Sequence, residues 1–530
     1  MAELPPPIQA LLNPEIYPHR PQRVELVQTQ SSFIFLTGEY VYKVKKPVNF
    51  GFLDYSTLEK RHTYCCREVE LNARLCRDIY RGVAEVREKD GQYSIGGEGV
   101  VVEYAVHMRQ LPRDRMMDTL LDEDKVTPDM VQRLAEVLST FHREAATSPE
   151  ISRYGGLDVI THNTKENFSQ TDGYVGRSIT AEQYRDIARY TRAFLRRKAV
   201  LFQRRIVEGR IRDCHGDLHT AHVCFTDDIC IYDCIEFNER FRYSDVAADI
   251  AFLAMDIDYH GRQDVSEALL EAYSRHYGDA DLPRLLNFYK CYRAYVRGKV
   301  TSFKLDDPLV PPAEKEESAR IASRYFQLAH SYVLAEGRPL LILVGGLIGT
   351  GKTTVAEALA ERGGFTLVSS DVVRKALVGI APTDRRWESY EAGIYSPEYT
   401  ERTYDELFRR AKEALSEGDS VILDASFKKA SDRERAKALA EEVGAELWVV
   451  ECTADEDTIR SRLEERARTQ AVSDGRWDIF EDIRRGFEPI REVPQERHLT
   501  VNTARPLKEV LREVEERIAR KLRGGRWLES

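Results

Sequence analysis

The sequence predicts an α+β domain of two lobes followed by an α/β domain built on a parallel sheet. Three features carry this. The apolar run Leu340-Leu341-Ile342-Leu343-Val344 opens directly into Gly-x-x-x-x-Gly-Lys-Thr, Gly346 to Thr353, and then into a helical pattern through Val355, Leu359 and Ala360. Beyond this P-loop, short buried strands alternate with amphipathic helices, as βαβ units do. Ahead of it, more than half the chain starts with alternating strands and turns helical from Leu111.

Residues 1–108 read as a small lobe. Ser32 to Lys46 forms two alternating strands turned at Gly38, which places Lys43 and Lys45 on one face of the second. Thr57 to Leu75 is helical and carries Glu68 and Glu70; strands follow at Val83 to Val86, Tyr93 to Ile95 and Val100 to Met108. This is the element order of a protein-kinase-like small lobe. Residues 109–336 read as the large lobe. Amphipathic helices at Pro128 to Phe141 and Tyr184 to Val207 lead to a strand-rich passage through Ile211 to Phe225, Ile229 to Asn238 and Asp245 to Leu253. Asp306 to Pro312 breaks the pattern, a helix runs from Ala313 to Leu334, and Gly337-Arg338-Pro339 marks the start of the last domain, 337–530.

The passage His215-Gly216-Asp217 to Asp249 resembles the catalytic loop and metal-binding strand of the aminoglycoside phosphotransferase family, relatives of protein kinases that phosphorylate small hydroxyl compounds. The resemblance implies that Asp217 is the base accepting the acceptor hydroxyl proton, that Asp233 binds metal, and that Asp249 supports the loop. It makes Lys43 the phosphate-gripping lysine and Glu68 its helix partner; spacing alone does not choose between Lys43 and Lys45, or Glu68 and Glu70. One position departs. The family carries Asn as a metal ligand five residues after the base, and this chain has His222 there. Magnesium favours oxygen ligands and imidazole suits softer metals, so the site uses one fully liganded metal, prefers Mn²⁺, or has lost turnover.

In the last domain Gly346, Gly349, Thr350, Gly351, Lys352, Thr353 and Thr354 form a phosphate cradle, with backbone N–H groups and a helix N-terminus facing the anion. Lys352 would reach the β- and γ-phosphates of ATP or GTP, and the Thr353 hydroxyl would sit on Mg²⁺. Thr366 to Ser370 is a strand ending at Asp371, in the crevice of a doubly wound sheet. Thr403 to Ser416 is an amphipathic helix, and Val421 to Leu423 a buried strand ending at Asp424, a second metal position. Glu446 to Cys452 and His498 to Val501 are further strands, and Ile459 to Arg468 a helix rich in arginine. This domain resembles the P-loop kinases that include the polynucleotide kinase 5′-kinase domain, zeta toxins and chloramphenicol phosphotransferase, with AAA-type ATP binding. The resemblance makes Asp371 the residue that orients and deprotonates the acceptor, Arg374 a substrate ligand and Arg466 the lid arginine, with Arg462 and Arg468 as second choices.

At 530 residues the chain exceeds one ordinary core, and 42% hydrophobic with 31% charged residues is the profile of a soluble globular protein. No apolar run approaches a membrane span, and Met1 to Pro7 lacks the regions of a signal peptide, so a cytoplasmic protein with no membrane partner is expected. A net charge of −10 without a long basic block disfavours a nucleic-acid partner. The nine cysteines are expected to be reduced; Cys214, Cys224, Cys230 and Cys234 lack paired C-x-x-C spacing and read as buried rather than zinc-binding. Asp256, Asp258 and Asp281 read as a solvated face or as an acidic surface for a cationic acceptor.

The leading reading is a bifunctional ATP-dependent kinase for alcohol groups of small molecules. Alternatives are a P-loop 5′-hydroxyl nucleic-acid kinase with a regulatory N-terminal half, and a nucleotide-gated binding protein with little turnover.

Overall fold

Alternating apolar residues at the start of the chain build a six-stranded antiparallel sheet in the computed structural model, which describes residues 4–308, 310–380, 393–468, 477 and 480–521. Its strands are β1 (Glu25–Gln28), β2 (Ser32–Leu36), β3 (Tyr40–Lys45), β4 (Tyr80–Lys89), β5 (Gln92–Ile95) and β6 (Val100–Arg109), in the order β1-β2-β3-β6-β4-β5. β1 is absent from the sequence reading because its residues are mostly exposed and show no clean alternation. The turn between β2 and β3 uses Gly38 at φ +90°, and the register pairs Ile34 with Lys43 and Ser32 with Lys45. Both lysines therefore leave one face of β3. The helix Leu58–Asn72 packs on this sheet, its first turn capped by Thr57, whose hydroxyl accepts from the Lys60 N–H at 3.2 Å.

The helical part of this region holds two antiparallel strand pairs, β7 (Ile211–Asp213) with β10 (Tyr243–Asp245), and β8 (Val223–Phe225) with β9 (Ile229–Ile231). The single helix expected over Tyr184 to Val207 is two, Ala181–Arg197 and Ala199–Val207, because Lys198 leaves the helical region at φ −101°, ψ 16°. The helix Val246–Tyr259 is buried along nearly its whole length. Asp245 caps it, accepting from the Ala247 N–H at 2.9 Å, and is itself gripped by Arg205 through two bonds of 2.8 and 2.6 Å. Arg205 also reaches Asp279 at 2.5 Å, so one fully buried guanidinium neutralises two buried carboxylates.

The expectation of reduced cysteines is corrected at one pair. Cys76, just past the helix Leu58–Asn72, is joined to Cys230 of β9, the two Cα atoms 4.7 Å apart. Both face the same apolar cluster, which brings positions far apart in sequence into contact. Cys214, Cys224 and Cys234 are free and buried.

The C-terminal region is a five-stranded parallel sheet in the order β12-β13-β11-β14-β15, from β11 (Leu340–Gly345), β12 (Thr366–Ser369), β13 (Val421–Asp424), β14 (Glu446–Thr453) and β15 (His498–Asn502). Both faces are covered, which is why these strands read as continuous apolar runs. Leu341 and Leu343 pack with Leu407, Ala411 and Leu415 of the helix Pro397–Ser416 on one side. Leu340, Ile342 and Val344 pack with Val355 and Leu359 of the helix Lys352–Gly363, and with Val510, Val514 and Ile518 of the helix Leu507–Lys521, on the other.

By contacts the chain divides into two units, Met1–Tyr184 with Lys198–His330, and Arg185–Arg197 with Ser331–Ser530. Among the described residues no helix is long and apolar enough to cross a membrane.

Replacing Arg205 by Met leaves Asp245 and Asp279 buried without a cation, and a loss of about 3–5 kcal/mol of stability is expected. Chemical denaturation followed by circular dichroism measures it, and an unchanged profile would contradict the capping role of this triad.

Candidate functional site

In the first unit the helix Leu58–Asn72 presents Glu68, 0% exposed, to β3. Its two oxygens accept from two lysines, Lys43 Nζ at 3.0 Å and Lys45 Nζ at 2.6 Å. The lysines differ in burial and in their second partner. Lys45 is 1% exposed and also donates to Glu236, which accepts from the Tyr55 hydroxyl as well. That network is closed and buried. Lys43 is 14% exposed and reaches Asp233 Oδ1 at 2.5 Å. Burial alone would lower its pKa, but Asp233 and Glu68 more than offset this and hold it well above the ordinary value. The alternatives left open by spacing are thus separated: Lys43 faces the open site, Lys45 ties strand to helix, and Glu70 is exposed. Glu236 and Tyr55 were missed; their only sequence signal is a polar residue inside an apolar stretch.

Past β7 the chain makes a tight loop through His215-Gly216-Asp217. Gly216 sits at φ +86°, and a Cβ there would lie 2.8 Å from the Phe241 carbonyl oxygen, so a side chain is excluded. Asp249, one turn into its helix, accepts from the His215 and Gly216 N–H groups at 3.0 and 2.9 Å and lies 3.1 Å from His142 Nε2. Arg293 closes the loop from the other side, donating to the Gly216 carbonyl at 3.0 Å. Asp217 is left 36% exposed at the tip. Burial pushes its carboxyl up, but His219, His222 and Arg297 together outweigh this and hold it well below the usual carboxylate range. It is therefore ionised, at the tip of a loop whose backbone is held by Asp249 and Arg293.

Asp233 follows β9 in the left-handed region at φ +64°, a conformation rare for a non-glycine residue and common at functional sites. Its Oδ2 lies 3.5 Å from His222 Nε2, while His222 Nδ1 donates to the Asp217 carbonyl at 3.0 Å. Burial pushes the His222 imidazole down to about 4, so it is neutral at pH 7. Lys43, Asp217, His222 and Asp233 therefore converge. A donor set that includes imidazole does not suit Mg²⁺, which selects oxygen ligands.

Asp256, Asp258 and Asp281 form neither a solvated face nor an acidic acceptor surface. Asp256 is buried, accepting from Thr220 N–H and hydroxyl and from the Tyr325 hydroxyl. Asp258 is paired with Lys290 at 2.9 Å, and Asp281 with Arg204 and Arg284.

In the second unit the P-loop joins β11 to the helix Lys352–Gly363. Gly346 lies at φ +140°, where a Cβ would run into the Cys452 carbonyl, and Gly351 lies at +78° as the helix N-cap. Thr353 Oγ1 donates to Asp424 Oδ2 at 2.9 Å, and Ser369 donates to the same oxygen at 3.1 Å. Asp424 Oδ1 is buried with no hydrogen-bond partner among the described residues. Burial raises the Asp424 pKa, Lys352 opposes the rise and Asp371 adds to it. An orphaned carboxylate oxygen beside a hydroxyl is an all-oxygen set that fits Mg²⁺. Asp371 lies in the first turn of the helix Ser370–Leu377. Arg374 is buried; it donates to the Ile394 carbonyl at 2.8 Å and to Thr400 at 3.2 Å, and its Nε has no partner among the described residues. Arg462 is bound to Thr503, which donates to the Thr350 carbonyl at 2.6 Å, and so stands against the cradle. The side chains of Arg466 and Arg468 lie outside the described residues. Thr503 and Ser369 were missed, since a lone hydroxyl after a strand carries no distinguishing pattern.

Residues 96–288 match the family model described as phosphotransferase enzyme family, and residues 341–490 match the one described as AAA domain. The first match takes in Asp217, His222, Asp233 and Asp249 and begins after Lys43 and Glu68. The chain is 31% identical over 445 residues to an uncharacterized protein of Mycobacterium tuberculosis (strain ATCC 25618 / H37Rv), covering 84% of this chain and 86% of that one. An uncharacterized protein of Mycobacterium bovis matches to the same extent, 31% identical over 84% of this chain and 86% of its own. Among solved structures, a choline/ethanolamine kinase family protein from Mesorhizobium loti aligns over 61% of this chain and 98% of its own, with 14% identity and a TM-score of 0.35. A gluconokinase from Sinorhizobium meliloti aligns over 34% of this chain and 92% of its own, with 21% identity and a TM-score of 0.26.

The two lysines on Glu68 should separate in their effect on stability. Lys45→Met leaves Glu68 and Glu236 underpaired in the interior and is expected to destabilise by about 3–5 kcal/mol. Lys43→Met should cost less, because Asp233 remains open to water and Lys45 remains on Glu68. Thermal unfolding of the two variants would contradict this assignment if Lys43→Met proved the more damaging.

Proposed function

Because this chain belongs to the family of its mycobacterial relatives and carries a phosphotransferase-enzyme domain followed by a P-loop domain, we propose that it is a bifunctional ATP-dependent kinase with one active site in each unit. That it is an ATP-dependent phosphotransferase follows from the two domains; the finer reading is that both act, on hydroxyl groups of small molecules. The observation that supports it is duplication: each unit assembles, from unrelated residues, the parts that phosphoryl transfer requires.

In the first unit Lys43, oriented by Glu68, would hold the donor phosphates, and Asp233 would take a cation. Asp217 would accept the proton of the acceptor hydroxyl, its position held by Asp249 and Arg293. In the second unit the P-loop backbone and Lys352 would hold the donor, Thr353 and Asp424 would hold Mg²⁺, and Asp371 would orient the acceptor and take its proton. A bound divalent cation neutralises charge on the transferring phosphoryl oxygens. Arg462 stands where it could add positive charge to the same group. Small acceptors are favoured over nucleic acid because the chain has no long basic block and carries a net charge of −10.

The test is ATP consumption over aminoglycosides, simple sugars, nucleosides and 5′-hydroxyl oligonucleotides, with wild type, Asp217→Asn, and Lys352→Ala combined with Asp371→Asn. Turnover with one acceptor should fall by about 10³-fold or more in Asp217→Asn, and with another in the P-loop variant. If Asp217→Asn changes nothing while the P-loop variant is inactive with every acceptor, the first unit is a binding module and the bifunctional reading fails.

A further inference from the structure

The first unit brings imidazole nitrogen and carboxylate oxygen together where an all-oxygen site would be expected. His222 Nδ1 donates to the Asp217 carbonyl at 3.0 Å, and because a carbonyl can only accept, this bond places a proton on Nδ1. Nε2 is thereby left to present its lone pair, in the way a neighbouring hydrogen bond orients a metal-ligating histidine. It faces Asp233 Oδ2 at 3.5 Å, too long for a good hydrogen bond. Two donors bound to one cation at about 2.1 Å each, meeting near a tetrahedral angle, lie about 3.4 Å apart. The other oxygen of Asp233 is held by Lys43 at 2.5 Å, so the carboxylate is oriented with Oδ2 toward the imidazole.

A second imidazole lies alongside. His219 packs on His222 with ring centroids 3.8 Å apart, and its Nε2 is 3.6 Å from Asp217 Oδ2. Its buried Nδ1 has no hydrogen-bond partner among the described residues. Asp217, His219 and His222 each offer a donor atom within 4.8 Å of the others. Asp217, His219 and His222 thus cluster beside the His222–Asp233 pair, at a point left partly open by Asp217 and Asp233.

We infer that His222 Nε2 and Asp233 Oδ2 hold a divalent transition-metal ion of the Mn²⁺, Co²⁺ or Zn²⁺ class in preference to Mg²⁺, with Asp217 and His219 flanking it. Imidazole raises affinity along the Irving–Williams order and contributes little to Mg²⁺, whereas the oxygen set of Thr353 and Asp424 in the second unit carries no such bias. The two units then draw on different cations for the same reaction class. This rests on reading the first unit as a phosphoryl-transfer site, but metal binding is measured apart from turnover.

The experiment titrates Co²⁺ into the metal-stripped full chain and follows its visible absorption, where nitrogen ligation in a low-coordinate site gives strong bands. Wild type should bind one Co²⁺ with such bands, and millimolar Mg²⁺ should not displace it. His222→Asn should weaken this binding by about 10- to 100-fold or more and restore competition by Mg²⁺. Asp233→Asn should weaken it similarly, and provides a second reading should His222→Asn fail to fold; Asp424→Asn should leave the bands unchanged. Absent bands in wild type, or bands untouched by both His222→Asn and Asp233→Asn, would overturn the inference. Phosphorylation that depends on Asp217 with Mg²⁺ alone, in a protein lacking the bands, would defeat the metal assignment and leave the kinase reading standing. Bands without any Asp217-dependent turnover would do the reverse.

Discussion

Charge has to be drawn partly out of water to act on a phosphoryl group, and a charge so placed must have a partner of opposite sign. In the first unit that requirement converges on Glu68. With no exposed surface, its carboxylate joins β3 to the helix Leu58–Asn72 through two lysines, one locked into the interior with Glu236 and Tyr55, the other turned toward Asp233. Removing this carboxylate would leave two ammonium groups to repel each other across one strand face. The same logic recurs at Asp249, whose oxygens accept two consecutive backbone N–H groups and so fix the direction in which Asp217 points.

The second unit meets the requirement with backbone instead of side chains. Its cradle is made from glycines at positive φ, one of them Gly346, where a Cβ would collide with the neighbouring strand, and from the first turn of a helix. Side-chain contacts place Thr353, Ser369 and Asp424, and Thr503 holds the Thr350 carbonyl; the buried Asp424 oxygen, unpaired among the described residues, marks where an added positive charge would relieve the arrangement. A network of side chains is open to change at single positions, whereas a backbone cradle depends little on which side chains surround it.

Much of this was legible in the sequence where the signal is local. The P-loop, the buried parallel strands and their closing carboxylates Asp371 and Asp424 are readable because period, length and motif agree over a dozen residues. The pairs β2 and β3, and the loop around Asp217, are readable for the same reason. What was not legible depends on contacts between distant positions. Lys43 and Lys45 are equivalent by alternation and differ only in burial and partner. Glu236 and Thr503 acquire their roles from residues far away along the chain. Asp256, Asp258 and Asp281 look like free surface charge until their partners Tyr325, Lys290 and Arg204 are seen. The bridge between Cys76 and Cys230 spans a sequence separation of 154 and leaves no spacing signature.

Two independent donor-nucleotide sites of different construction on one chain can be counted. Isothermal titration with a non-hydrolysable ATP analogue counts them directly, on wild type, Lys43→Met, Lys352→Ala and the double variant. Two sites per chain are expected in wild type, one in each single variant and none in the double. A single site in wild type that disappears in Lys352→Ala and is untouched by Lys43→Met would contradict this expectation.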